Sequence, residues 1–293
     1  MRFSFYRLHG DTDATIRIAA RHGERWFDLA DLDLGFSCGA PDVAAFDAAR
    51  RAAIADKLQT SAAAPVDLAS AVLLPPIAPD ARIFCVGLNY ADHAEESAMA
   101  KPEFPVVFLR TYDSFVGHGQ PLVLPARSSA FDYEGEMVAV LGKGGRYIDV
   151  ADAAGCIAGY SVANEGSVRD YQLKRGPQWT MGKNFSRSGA MGPSLVTADE
   201  LPALGGGLAI ATRLNGETVQ SSNTRQLIFD VARIVAYLSE AFVLRAGDTI
   251  VTGTPAGVGA VRNPPLFMRE GDTVEVEVEG IGLVRNTVVR EQP

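Results

Sequence analysis

Glu134 and Glu136 stand either side of one glycine in FDYEGEMVAV, residues 131–140. On a β-strand, Asp132, Glu134 and Glu136 share one face, and Gly135 has no side chain to block whatever approaches between them. Carboxylates this close repel unless water screens them or a positive charge joins them. A solvated strand face meets the first condition, and a hard divalent cation taking oxygen ligands meets the second. The apolar run MVAVLG that follows bears on the choice: it suits a strand entering a core, where uncompensated carboxylates are costly. Glu165, in GYSVANEGSVRD, ends another apolar run just before a glycine. Three carboxylates from two strands, with water, suit Mg²⁺ or Mn²⁺; the absence of His and Cys from these segments disfavours zinc.

A second cluster lies in NYADHAEE. His93 and Glu96 are three residues apart, so on a short helix they share a face and can hydrogen-bond. A histidine oriented by a carboxylate is a general base near neutral pH; the alternative is a surface histidine beside an acidic run. His118, between two glycines, reads as structural. Lys183 in TMGKNF and Arg110 in VVFLRT adjoin apolar runs, where each could bind a substrate carboxylate or an oxyanion, or simply be surface charge. TGTPAGVGAV lacks the endings of the nucleotide-binding glycine loops. Its backbone amides and the hydroxyls of Thr252 and Thr254 could still bind an oxygen.

The elements that must position these residues come mostly from strand-like runs: Ile83 to Gly87, Gly135 to Leu141, Ala158 to Ala163, Leu208 to Leu214 and Thr273 to Val278 among them. Two helical stretches interrupt them, a short one in ADHAEESAM and a longer one in TRQLIFDVARIVAYLSEAF, whose apolar stripe reads as core packing. Before them come three short strands, a helix over residues 42–59 and a Ser, Ala and Pro-rich connection. Strands without regularly alternating helices argue against a doubly wound sheet. The expected fold is α+β and β-rich: a mixed β-roll with a small N-terminal α+β domain, divided into residues 1–78 and 79–293.

With 47% hydrophobic and 21% charged residues in 293, the chain can build a sizeable core. A net charge of −8 leaves no basic stripe for nucleic acid. No apolar run suits a membrane span and the first residues lack a secretory core segment, so a cytoplasmic protein is expected. Cys38, Cys85 and Cys156 show no paired spacing and read as small buried hydrophobes.

Several ordered segments within residues 85–286 resemble the fumarylacetoacetate hydrolase family: VGLNYADHAEE, FPVVFLR, DYEGEMVAVLGKG, GYSVANEGSVRDYQ, WTMGKNF, TRLNGETVQ, IVTGTPAGVG and GDTVEVEVEGIGLVRN. The resemblance implies a β-roll catalytic domain, a homodimer, and a divalent cation held by Glu134, Glu136 and Glu165. The third position departs from the Asp usual in relatives, adding one methylene. The family's His–Glu pair falls on His93 and Glu96, and its lysine on Lys183. Substrate contacts would come from Tyr90, Arg110, Arg169, Gln172, Asn184 and Thr254, with the acyl side read by Arg110 and the segment SVRDYQLKRGPQW at 167–179. Arg110 stands where many relatives carry Lys, which keeps the charge and changes the geometry.

The chemistry implied is hydrolysis of a C–C bond in a 2,4-dioxo acid such as an acylpyruvate. The cation would stabilise an enolate, His93 with Glu96 would activate water, and Lys183 would offset developing charge. Isomerisation and decarboxylation of related oxo acids share the enolate; the His–Glu pair favours hydrolysis because activated water is what hydrolysis needs. An oxaloacetate-type decarboxylase stands second. A fold-retaining inactive protein, with Glu165 marking a decayed site, is the reading from another class.

Overall fold

Strict alternation along the central strands sets the architecture. Ile83 and Cys85 turn to one side of their strand while Phe84 and Val86 turn to the other; Val138 and Val140 likewise oppose Met137, Ala139 and Leu141, and all are buried. A strand apolar on both faces needs cover on both faces, and the computed structural model, which describes residues 1–36, 46–96 and 100–292, supplies it. An eleven-stranded mixed sheet runs in the order Arg25–Asp28, Arg17–His22, Arg2–Arg7, Gly189–Thr197, Ile157–Asn164, Gly135–Leu141, Thr249–Val251, Ile83–Gly87 and Val106–Arg110, with two short strands paired beside this path. A five-stranded sheet packs on one face, ordered Glu217–Asn223, Ala209–Leu214, Thr273–Val278, Gly282–Arg290 and Leu122–Leu124. This is the mixed, β-rich α+β roll expected from the sequence.

Two cores follow from the two faces. One joins Phe84, Met137 and Tyr160 to Ile210, Val276 and Val284 of the second sheet and to Ile234 and Leu238 of a helix. The other joins Val138, Val140 and Val251 to Phe3, Phe5, Phe27 and Ile54. Each fully buried side chain of this size contributes about 1.5–3 kcal/mol. The described part of residues 1–78 therefore shares a core with the strands that follow, and its first strand extends the central sheet through Arg2↔Val196 and Phe3↔Leu195.

The short expected helix begins at Ala91 as expected and runs to Glu96, its last expected residues, 97–99, lying outside the described residues; the two longer helices start later than expected. The first runs Ala48–Thr60, capped by the Asp47 carboxylate on the Arg50 N–H; its expected beginning at 42–45 lies outside the described residues. The helix expected from residue 224 begins at Val231, where the Asp230 carboxylate caps the Arg233 N–H. Residues 228 and 229 are instead held outside the helix by Asn89. Its backbone carbonyl accepts from Ile228 at 2.8 Å and its side-chain oxygen from the Phe229 N–H at 2.8 Å. Apolar spacing alone does not reveal that pull from across the fold. Among the described residues, no helix is long and apolar enough to cross a membrane.

Candidate metal centre and active site

Antiparallel register brings the carboxylates together. Gly135 pairs with Asn164, so the residues just beyond each strand, Glu134 and Glu165, face one another; the Glu165 N–H donates to the Glu134 carbonyl at 2.7 Å. The Asn164 side chain accepts from the Glu134 N–H at 3.0 Å. Glu134, Glu136 and Glu165 are 5%, 1% and 2% exposed, and each offers an oxygen within 4.8 Å of the other two. The longer side chain of Glu165 thus still reaches the cluster.

Gly135 makes the crossing possible. A Cβ there would lie 2.1 Å from Thr212 Oγ1 and 3.0 Å from Val276 Cγ1, both in the second sheet. The approaching group that the glycine admits is therefore the opposing sheet. Gln220 fixes this contact, accepting from the Gly135 N–H at 2.9 Å and donating to Thr254 Oγ1 at 2.8 Å. Gly135→Ala is expected to cost about 1–3 kcal/mol through overpacking; an unchanged midpoint in thermal unfolding would refute this.

Lys183 reaches the cluster from the short helix Thr180–Lys183. Gly182 lets that helix touch its neighbour Arg169–Lys174, since a Cβ would sit 2.5 Å from the Gln172 backbone nitrogen. The ammonium donates to Glu134 Oε2 at 2.5 Å and to Glu165 Oε2 at 2.7 Å. Arg169 donates through Nε to Asp132 at 2.7 Å and through Nη1 to Gln172 at 2.8 Å, while its Nη2 lies 2.7 Å from Glu134 Oε1.

The charges respond to this environment. Burial pushes Glu134 up, yet Arg169 and Lys183 together hold it well below the usual carboxylate range. Burial, then Glu165 and Glu134, push Glu136 well above that range; Glu165 is raised by burial and Glu134 against the pull of Lys183. For Lys183, burial opposes the charge, but Glu134 and Glu165 outweigh it and raise the ammonium above its ordinary value.

A divalent cation fits these residues. The donors are hard carboxylate oxygens, and Glu165 Oε1 is buried without a hydrogen-bond partner. Asp132, Glu134, Glu136 and Glu165 also outnumber the buried cations around them, Arg169, Lys183 and Arg110. A metal placed among the three glutamates would take up that orphaned oxygen and reverse the local excess of negative charge.

A cavity of about 310 Å³ opens over the cluster, lined by His93, Arg169, Gln172, Lys183 and Thr254 together with the three glutamates. His93 lies on the helix Ala91–Glu96. Its Nδ1 is 3.7 Å from Glu96 Oε2, beyond hydrogen-bond reach, and has no other partner. Glu96 accepts instead from the Gly257 N–H at 2.9 Å. The expected His93–Glu96 hydrogen bond is thus an approach without a bond. Burial pushes His93 below its ordinary 6.5 despite the opposing pull of Glu134, so the ring is neutral at pH 7.

Three expected substrate contacts lie elsewhere. Arg110 is buried behind Glu165, donating to Ser188 Oγ at 2.9 Å, Ser114 Oγ at 3.1 Å and the Gly166 carbonyl at 3.2 Å. It braces the turn that carries Glu165 and is neither surface charge nor a cavity residue. Asn184 ties its helix to the edge strand, accepting from the Thr111 N–H at 2.9 Å and donating to the Leu109 carbonyl at 3.1 Å. Tyr90 is fully buried beside Glu136 and does not line the cavity.

Asp132 stands out in the sequence as a carboxylate on the strand face, but nothing local gives it a role. Fully buried, it anchors Arg169 and accepts from the Gly259 and Ala260 N–H groups at 2.8 and 3.0 Å. Of the segment at 167–179 expected to meet the substrate's acyl side, Arg169, Gln172, Leu173 and Trp179 line the cavity; sequence reasoning misses Gln220, Leu88, Val258 and Val261. Only the complement of Asp132 to Arg169, within matched motifs, signals any of these.

A β-roll carrying three inward carboxylates and a buried lysine defines a class of metal-site enzyme, and residues 82–289 match the model of the fumarylacetoacetate (FAA) hydrolase C-terminal family. The chain belongs to this family. It is 43% identical over 217 residues to the mitochondrial oxaloacetate tautomerase Fahd2a of Rattus norvegicus, covering 74% of this chain and 69% of that protein. A Mycobacterium smegmatis protein of known crystal structure matches over the full length of both chains with 38% identity and a TM-score of 0.85. The fumarylpyruvate hydrolase of Pseudomonas aeruginosa, solved with Mn²⁺ and pyruvate, matches 75% of this chain and 92% of its own with 35% identity and a TM-score of 0.66.

Proposed function

We propose that this chain is a divalent-cation-dependent enzyme that moves a proton at the carbon beside the keto group of a short 2-oxo acid, interconverting keto and enol forms. The observation carrying this reading is the cavity whose polar end gathers three buried glutamates, Lys183, Arg169 and one neutral histidine. Glu134, Glu136 and Glu165 would hold Mg²⁺ or Mn²⁺. Bound there, the cation supplies Lewis acidity toward the oxygens of the oxo acid.

The chain's own residues account for the rest. An imidazole nitrogen of His93 takes the substrate proton, and neutrality at pH 7 keeps it free to do so. Lys183 sets a fixed positive charge beside the position where negative charge grows. Arg169, tied to Asp132, holds Glu134 in place rather than reaching into solvent. The rat relative named a tautomerase, at 43% identity, supports the same chemistry.

Hydrolysis of a 2,4-dioxo acid is the second reading, favoured by Glu96 at 3.7 Å from His93 and by the Pseudomonas relative. It ranks below because activating water calls for an oriented base. Here Glu96 is engaged by Gly257 and His93 Nδ1 is unpartnered. A decarboxylase finds no separate observation in its favour.

The test follows enol absorbance and pyruvate release together, with EDTA and then with Mn²⁺. Metal-dependent enol–keto conversion without release of a second acid is expected; stoichiometric pyruvate from an acylpyruvate would replace this reading by hydrolysis. His93→Ala is expected to lower kcat about 10²–10⁴-fold. Because the His93 pKa is lowered, the rate should stay high down to mildly acidic pH and fall only below 6.5. That acidic limb should vanish from the pH–rate profile of His93→Ala, and its persistence would remove His93 from the proton transfer.

A further inference from the structure

The cavity has two unlike ends. At the carboxylate end, both lining cations are engaged: Lys183 with Glu134 and Glu165, and Arg169 with Asp132 and Gln172. The remaining wall is made by Leu88, Leu173, Trp179, Val258 and Val261, and among the described residues no further cation lines it. Leu173 and Val261 stay 61% and 42% exposed at the rim, which is apolar surface offered to whatever enters.

Trp179 is the aromatic residue of this wall. The edge of its indole abuts the end of the strand Ile83–Gly87: a Cβ at Gly87 would come within 2.2 Å of the indole Cζ3 and 2.7 Å of Cη2. Phe108 meets the indole in a T-shaped contact, with ring centroids 5.4 Å apart. Gly87 and Phe108 thus both contact the ring, which lines the cavity.

We infer that this wall selects 2-oxo acids whose distal substituent is uncharged and apolar, with Trp179 as the specificity-determining residue. The inference rests on the 2-oxo acid reading above and departs from the substrate in the name of the rat relative. A dicarboxylate such as oxaloacetate would place its second carboxylate against hydrocarbon, where it loses hydration without a cation in return. An aryl or alkyl group would gain contact instead.

Phenylpyruvate and oxaloacetate test this directly. They share the carboxylate, the keto group and the following CH₂, and differ in ending with phenyl or carboxylate. Two measurements apply to the full chain with Mn²⁺. The first is kcat/KM for keto–enol conversion of each acid, in wild type and in Trp179→Ala. The second is quenching of Trp179 fluorescence by each acid in a Trp26→Phe background, where Trp179 is the remaining tryptophan of two.

Tighter binding of phenylpyruvate is expected. Trp179→Ala should lower the phenylpyruvate-to-oxaloacetate ratio of kcat/KM by about tenfold or more, mainly through KM. Gly87→Ala, whose Cβ would displace the indole from its place, should weaken phenylpyruvate binding independently. Tighter binding of oxaloacetate, or a ratio unmoved by Trp179→Ala, overturns the inference. Preferential quenching by phenylpyruvate without turnover of either acid would uphold the wall and remove the proposed reaction. Turnover of oxaloacetate without binding of phenylpyruvate would do the reverse.

Discussion

Glu136→Gln is expected to raise the stability of the EDTA-treated protein while removing most of its affinity for Mn²⁺. The two effects have one cause. Glu136 is 1% exposed and its carboxyl is pushed well above the usual range by burial, then by Glu165 and Glu134. A folded-state carboxyl raised in this way binds more protons than the unfolded chain. Its contribution is therefore greatest in acid and is lost as pH climbs from the ordinary value of 4.5 toward the raised one. A neutral amide of the same shape removes that loss. The same oxygen pair is one third of the proposed ligand set, and an outer-shell partner alone costs about 10–100-fold in metal affinity; a ligand should cost more. Thermal unfolding in EDTA and Mn²⁺ titration, each for wild type and Glu136→Gln, check the two signs. An unchanged Mn²⁺ affinity would take Glu136 out of the metal site, and a lower midpoint in EDTA would refute the repulsion argument.

Arg169→Met should destabilise the fold by about 3–5 kcal/mol, because it leaves carboxylates buried without their partner. Asp132 is wholly buried, and Glu134 nearly so. Arg169 binds the first through Nε at 2.7 Å and lies 2.7 Å from the second. Asp132 also accepts three backbone N–H groups, from Tyr133, Gly259 and Ala260, so the variant would disturb the loop at 257–260 that walls the cavity. For a chain of this length the loss should lower the unfolding midpoint by roughly 6–10 °C. The double variant Arg169→Met/Asp132→Asn removes the stranded charge and should recover part of the loss, a coupling that a double-mutant cycle reads directly. Additive losses would show that Arg169 contributes packing and not charge.

Much of the site is legible in the order of the residues. The Glu-Gly-Glu spacing puts two carboxylates on one strand face, and Glu165 at a strand end supplies the third. Depth is what spacing does not encode. Arg110 and Asn184 sit in matched motifs, yet Arg110 lies one layer behind the cavity and Asn184 bridges a helix to an edge strand. Side-chain periodicity tells which face a residue shares, and only the packing of other elements tells whether that face meets the cavity. Trp179 falls in a segment expected to meet the substrate, but its own part in the wall depends on Gly87, in a different element and 92 positions away along the chain. Asp132 is visible as a charge but not as an anchor, since its partners Arg169 and Gly259 come from two other segments. The N-terminal strands are legible as strands; the pairing of Arg2–Arg7 with Gly189–Thr197 is not, because a strand carries no local record of its neighbour.

The central claim is that Glu134, Glu136 and Glu165 hold one divalent cation on which the chemistry depends. Mn²⁺ titration followed by electron paramagnetic resonance, with turnover of 2-oxo acids measured at each occupancy, tests it most directly. One bound Mn²⁺ per chain is expected, with turnover rising in proportion to occupancy and both lost in Glu136→Gln. Turnover that persists in EDTA, or a protein that binds no Mn²⁺, would contradict it.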